Sequence, residues 1–241
     1  SLCIFRPLTT NIDTINVTGH AVNTVTGNIG TSQTYNSGDT VNGNNLTKVN
    51  LVVDGVASSA RAPVVDLNNV ASVNINLVSG SIGGATAATI NETEFTNVPA
   101  VTVTSGVSGS ELLVTGAAQS TVHGFAVAGR NFTETIDYAT TTGTADVAAL
   151  SVAGTGVSAT SRSAFNVADG DTIEAVTLAT SGTNYVTVNA GTAATSIKAT
   201  GSGTNTIVLG TAANSKLSVD LSGTTGTNTF DVGANLNGTT T

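Results

Sequence analysis

From Ala175 onward the chain repeats itself about every 21 residues, and almost nothing in the repeat is chemically reactive. Ala175-Val176-Thr177-Leu178-Ala179-Thr180-Ser181-Gly182-Thr183-Asn184, followed by Tyr185-Val186-Thr187-Val188-Asn189, returns as Ser196-Ile197-Lys198-Ala199-Thr200-Gly201-Ser202-Gly203-Thr204-Asn205, followed by Thr206-Ile207-Val208-Leu209. A third, looser copy begins at Lys216-Leu217-Ser218-Val219-Asp220-Leu221 and ends at Thr229-Phe230-Asp231-Val232. Self-similarity at such a period marks a stacked architecture, because each unit can bury its apolar face only against its neighbours.

Composition agrees with stacking. Of the 241 residues, 39% are apolar, 9% charged and 4% aromatic, with neither Met nor Trp, while Ser and Thr exceed a quarter of the chain. A core made under those limits consists of Val, Ile, Leu and Ala, side chains that stack well on copies of themselves about 4.8 Å away in successive strands. The formal charge is −8, and the seven Lys and Arg stand singly. With no basic stripe there is no footprint for nucleic acid or an anionic membrane, and no run approaches the roughly 18 apolar residues of a membrane span. The lone Cys3 closes no disulfide within the chain. The absence of Met predicts a processed product or a piece of something longer.

The spacing of strand-like runs divides the chain in two. Over 1–100, Thr14–Val17, Val49–Val53 and Val73–Leu77 are separated by long polar segments such as Asn28–Gln33 and Asn36–Asp39, which carry turn chemistry. Over 101–241 the runs tighten to one every 10 to 15 residues or so, and after Val176 strand centres fall near 176, 187, 198, 208, 218 and 230. Two such intervals make one coil. The expected fold is therefore all-β, a parallel β-solenoid of β-helix or β-roll type, clearest over 101–241, with a less regular β-rich region over 1–100. Hairpins at the same spacing would give β-sandwich domains, the alternative. Alternate strands resembling each other, and Ser-Gly-Thr recurring at 181, 202 and 222, favour the solenoid. At about 21 residues per rung the whole chain would form roughly 11 rungs, a rod on the order of 50 Å. Leu2–Phe5 reads as a first strand or cap, or as an arm that adds to a neighbouring subunit, and Ala145–Leu150 reads equally as a short helix or a strand.

Reactive groups are few. The histidines are His20 and His123, and Ser is too common for a Ser-His-Asp match to carry information. Glu92 and Glu94 would share a face if their segment is a strand, in the manner of paired sugar-cleaving carboxylates; as a solvated loop they would not. Six Phe and three Tyr leave little for aromatic sugar platforms. Asp169-Gly170-Asp171 with Glu174 sets three carboxylates around a tight turn, which suits calcium, a hard cation that takes six to eight oxygens; the same Asp-Gly is also a common turn signal needing no metal.

Leu8-Thr9-Thr10-Asn11-Ile12-Asp13-Thr14-Ile15-Asn16-Val17-Thr18-Gly19, followed by Ser37-Gly38-Asp39-Thr40-Val41-Asn42-Gly43, resembles the repeat regions of bacterial surface-layer (S-layer) and RTX-like secreted proteins. Asn68–Ile75 and Asp171–Leu178 resemble their recurring strand phrase. The resemblance implies a secreted, repetitive β-solenoid of the Gram-negative cell surface that assembles into a lattice or adhesive structure. The chain departs from those families after Gly43, where Asn44-Asn45-Leu46-Thr47-Lys48 replaces their Gly-x-Gly-x-Asp run.

These readings lead to a non-enzymatic structural protein of the bacterial cell surface or extracellular matrix, self-associating into a layer or filament, with calcium as the candidate cofactor. A cell-surface adhesin, a receptor- or glycan-binding module or a phage tail component is the alternative, and a β-helical polysaccharide-degrading enzyme the third reading.

Overall fold

The structure, a computed structural model, describes residues 4–17, 23–30, 32–54, 63–79, 88–168, 173–210 and 216–232. All the regular elements among them are strands. The first nine are β1 (Ile4–Pro7), β2 (Thr14–Asn16), β3 (Asn23–Ile29), β4 (Thr40–Asn42), β5 (Thr47–Asp54), β6 (Asp66–Asn68), β7 (Ser72–Ser79), β8 (Ala88–Asn91) and β9 (Phe95–Thr96). Then come β10 (Ala100–Gly106), β11 (Ser110–Ala117), β12 (Val122–Phe125), β13 (Phe132–Tyr138), β14 (Val147–Ala153) and β15 (Ser163–Val167). The repeat supplies β16 (Ala175–Ser181), β17 (Thr183–Asn189), β18 (Ser196–Ser202), β19 (Thr204–Leu209), β20 (Ser218–Thr225) and β21 (Asn228–Asp231).

Every pairing between these strands is parallel. The chain is a β-solenoid, and the sandwich alternative, which needs antiparallel hairpins, falls. A long sheet runs in the order β1-β3-β5-β7-β10-β12-β14-β16-β18-β20, so each coil passes through it once. The other wall changes along the axis. Early coils close on a short sheet, β2-β4-β6-β9, and later ones on a second large sheet, β8-β11-β13-β15-β17-β19-β21. The coil holding β7, β8 and β9 visits all three sheets. Ten strands at about 4.8 Å spacing give the long sheet a height of roughly 43 Å.

The 21-residue period is the shortest rung after the first, where Ile4 pairs with Asn23. Val176 lies beside Ile197 and Val186 beside Ile207, each 21 positions on. Elsewhere turns lengthen the rung, as where Thr133 pairs with Ala164. The third copy carries a bulge between Asp220 and Gly223, which pair with Lys198 and Thr200. Ser222-Gly223-Thr224 therefore lies inside β20, and Gly226, not Gly223, occupies the corner equivalent to Gly182 and Gly203. Ala145–Leu150 feeds β14, Ile4 and Phe5 start edge strand β1, and Asn28 and Ile29 extend β3 into a segment that reads as a turn.

Alternation builds the core. In β3 the inward residues Val25 and Ile29 are buried while Thr24, Thr26 and Asn28 face outward. Register then stacks like on like: Val25, Val49, Val73 and Val101 form one inner ladder of the long sheet. Phe125 anchors the middle of the core, stacked on Phe165 at 4.5 Å and on Phe132 at 5.9 Å between ring centres. Corners are held by left-handed residues and amide ladders. Asn45, Asn69 and Asn97 all have positive φ, and the Asn97 amide donates to Asn69 Oδ1 at 2.8 Å. Asn16, Asn42 and Asn68 chain along the short sheet at 2.7 and 3.0 Å, and Asn184, Asn205 and Asn228 chain along the second sheet at 2.8 Å per step.

Candidate functional site

Of the residues that suggested calcium, Asp169 and Asp171 lie outside the described residues. Glu174 sits at a coil corner, where its Oε2 accepts the Asp146 N–H at 2.8 Å and its backbone carbonyl accepts the Thr195 and Ser196 N–H groups. Asp146 is a second carboxylate at this corner that the sequence reading missed. Its Oδ1 accepts the Gln119 amide at 2.8 Å, while Oδ2 is buried with no hydrogen-bond partner among the described residues. Among the described residues no three His, Cys, Asp or Glu side chains are placed to share a metal ion.

Glu92 and Glu94 do not converge as a carboxylate pair. Glu92 continues the inward parity of Ala88 and Ile90 and is buried, whereas Glu94 is exposed on the following turn. Gly116, at φ +70°, permits this path, because a Cβ there would press on Thr93. The Glu92 N–H then donates to the Thr115 carbonyl at 2.8 Å.

Inside the barrel Glu92 meets two further ionisable groups. The inner ladder that begins Val25-Val49-Val73-Val101 continues His123-Leu150-Leu178, so an imidazole occupies an aliphatic slot. On the facing sheet the ladder Ala88-Leu112-Glu134-Phe165-Val188-Leu209 holds a carboxylate in the same way. Both interruptions fall in the one coil made of β12 and β13. His123 Nδ1–H donates to Glu134 Oε1 at 3.3 Å, and Nε2 faces Glu92 Oε2 at 3.7 Å, too far for a hydrogen bond. Exposures of 0% for His123, 1% for Glu134 and 2% for Glu92 place all three out of reach of a substrate. Tyr138, on β13, sets its ring edge-on to the imidazole at 6.3 Å.

Electrostatics follow from burial without enough partners. Desolvation pushes Glu92 up from 4.5 to about 7, against the pull of the His123 charge and with added push from Glu134. It raises Glu134 as well, against the hydrogen bond and charge of His123. For His123 burial alone would expel the proton, but the Glu92 charge and the Glu134 hydrogen bond outweigh it and hold the imidazole above its usual range. Both Glu92 oxygens, His123 Nε2, Glu134 Oε2 and the nearby Tyr35 hydroxyl are buried with no hydrogen-bond partner among the described residues.

Two of the surface concavities lie beside the early coils. One, of about 470 Å³, lies on the outer face of the long sheet between β3 and β10 and is lined by Thr26, Asn28, Asn50, Asn74, Asn76 and Thr104. Within it the Asn74 amide donates to Asn50 Oδ1 at 2.8 Å. The other, of about 410 Å³, gathers Asp39, Asp66 and Glu94. There Asp39 already accepts the N–H groups of Asp13 and Asn36 at 2.8 and 2.7 Å, so it works as a turn clamp.

At the C-terminal end of the stack, the core positions turn half-exposed. Ile197 and Ile207 are buried, but their register partners in the next coil, Val219 and Phe230, are only partly covered, as is Leu221. No described strand pairs with the outer edges of β20 and β21. The fold thus defines the class, a parallel β-solenoid with mostly polar outer faces. No family model matches the chain, and no curated protein or solved structure matches it.

Proposed function

We propose that the chain is a non-enzymatic structural protein of the bacterial cell surface or extracellular matrix, which self-associates into a layer or filament. The observation that carries this reading is the layer of β20 and β21: a strand edge that no described strand pairs with, beside the half-covered Val219, Leu221 and Phe230. Unpaired N–H and C=O groups are a template for another strand, and a second copy of a solenoid supplies one at the same spacing. Edge strand β1, with Phe5 65% exposed, offers the complementary end of the long sheet. The acidic, charge-poor composition and the resemblance to surface-layer and RTX-like repeats support an extracellular setting.

Calcium would act at the Glu174 corner, with Asp169 and Asp171 as its further ligands in this proposal. Purified protein imaged by negative stain across a concentration series, with and without a chelator, tests both parts. Regular polymers that weaken on chelation are expected. A monodisperse monomer at high concentration sinks the structural reading, and polymers indifferent to chelator sink calcium alone.

A glycan-binding adhesin is the second reading, favoured by the uncharged amides and hydroxyls that share the lining of the concavity between β3 and β10 with apolar Val52. Such a row of short donors and acceptors suits a neutral polyhydroxylated ligand. Retention on a glycan array, abolished by Asn50→Ala with Asn74→Ala, is its expected signature.

A further inference from the structure

The buried ionic cluster is costly for a scaffold. Two facing ladders are, from Val25 and Ala88 onward, aliphatic or aromatic except where β12 and β13 place His123 and Glu134 face to face, and Glu92 reaches the same point from the coil of β8. The three residues thereby link the coil of β8 to that of β12 and β13 across the intervening coil of β10 and β11. The ring of His123 has Glu134 on its Nδ1 side and Glu92 on its Nε2 side, so the donors do not converge as ligands of one ion would. What they share is protons.

Charge counting sets the states. With the imidazole protonated and both carboxylates ionised, the cluster carries one net negative charge in the core, and neither Glu92 oxygen has a hydrogen-bond donor among the described residues. One further proton, taken from water onto Glu92, brings the charge to zero. Other ionisable groups facing the cluster are the phenols of Tyr138 and, beside Glu92, Tyr35, which do not titrate near neutrality. The adjoining ladder positions Val101, Leu112, Leu150 and Phe165 are apolar and supply no compensating charge.

We propose that Glu92, His123 and Glu134 form a proton-operated latch, which clamps the coils of β8 to β13 when it holds two protons and loosens them when it gives those protons up. The latch belongs to the single folded chain and is independent of any assembly. Glu92 in the fold keeps its proton to about pH 7, whereas in the unfolded chain it releases it near 4.5. His123 likewise holds its proton above its unfolded value. Both groups therefore stabilise fully below their unfolded values, and that stability is lost as pH rises through the folded ones. Each proton retained only by the fold makes the folding equilibrium constant fall tenfold per pH unit.

Urea unfolding between pH 5 and 8.5, at a concentration where light scattering reports monomer, tests the latch on the wild type and Glu92→Gln. The wild-type folding constant should fall as pH rises, and the variant should show a shallower slope, by up to tenfold per pH unit between 5 and 7. Parallel slopes, or wild-type stability that climbs over this range, overturn the proposal. Should Glu92→Gln not fold, imidazole NMR of His20→Ala decides: a His123 ring that titrates above 6.5 supports the latch, and one that titrates at or below 6.5 refutes it.

Discussion

A glycine at a solenoid corner answers to the coil beneath it as much as to its own backbone. Gly203 has φ +114°, and a Cβ there would collide with the Gly182 carbonyl one coil below. Gly129, at φ +63°, has nothing within 4 Å of the same hypothetical atom. Gly129→Ala should therefore cost only the left-handed conformation itself, about 1–2 kcal/mol. Gly203→Ala adds a backbone clash that no side-chain rotation relieves, so its melting temperature should drop clearly further than that of Gly129→Ala. Equal drops in thermal unfolding would mean that corners do not stack as described. Chain parity already marks other critical positions: Phe132, Ile136 and Tyr138 place Glu134 on the inward face, and Phe125 does the same for His123. What parity cannot reveal is that the two meet each other and Glu92, because that depends on cross-coil register and on the turn at Gly116. Reading Asn91–Glu94 as either a solvated loop or a strand with paired acids missed the outcome, a turn with one acid buried and one exposed.

Strands of this solenoid are linked by amide ladders as well as by backbone bonds. Asn205 is buried, accepts from Asn184 and donates to Asn228, both at 2.8 Å, so it joins three coils through one side chain. Asn205→Ala breaks both links, taking the donor from Asn228 Oδ1 and an acceptor from the Asn184 amide, at a cost of about 1–3 kcal/mol. Hydrogen exchange locates the damage: β19 and β21 should lose protection while β3, β5 and β7 keep theirs, since coils communicate only through neighbours. Uniform loss along the chain would count against this quasi-linear cooperativity. The last six strands were legible because their 21-residue period survives in the sequence, with centres that fall inside β16 to β21. The short sheet was not. Its strands β2, β4 and β6 are three residues each, too brief for any periodicity, and their defining feature is an Asn at the same register position 26 residues apart.

At the scale of the whole molecule, one sheet joins regions whose spacing differs. The long sheet takes strands from Ile4 to Thr225, while the opposite wall passes from the short sheet to the second large sheet at the coil of β7, β8 and β9. Of the latch residues, Glu92 lies in that coil and His123 and Glu134 lie two coils further on, so the cluster spans the stretch where two different coil shapes must be held in register. The end of the stack carries the proposed assembly, and its layer can be altered without touching the interior. Leu221→Lys with Phe230→Lys puts two cations on the half-covered face beyond β18 and β19. Because neither side chain is enclosed, the cost to the folded monomer should stay near the ~1 kcal/mol typical of point substitutions, with an unchanged strand signature in circular dichroism. Stacking of another copy, by contrast, would now bury two like charges against an apolar layer, which each cation resists by several kcal/mol. Sedimentation velocity on wild type and double variant at matched concentration should show large species for the first and monomer for the second. If the double variant polymerises as the wild type does, the contact lies on another surface and the end-layer assembly fails.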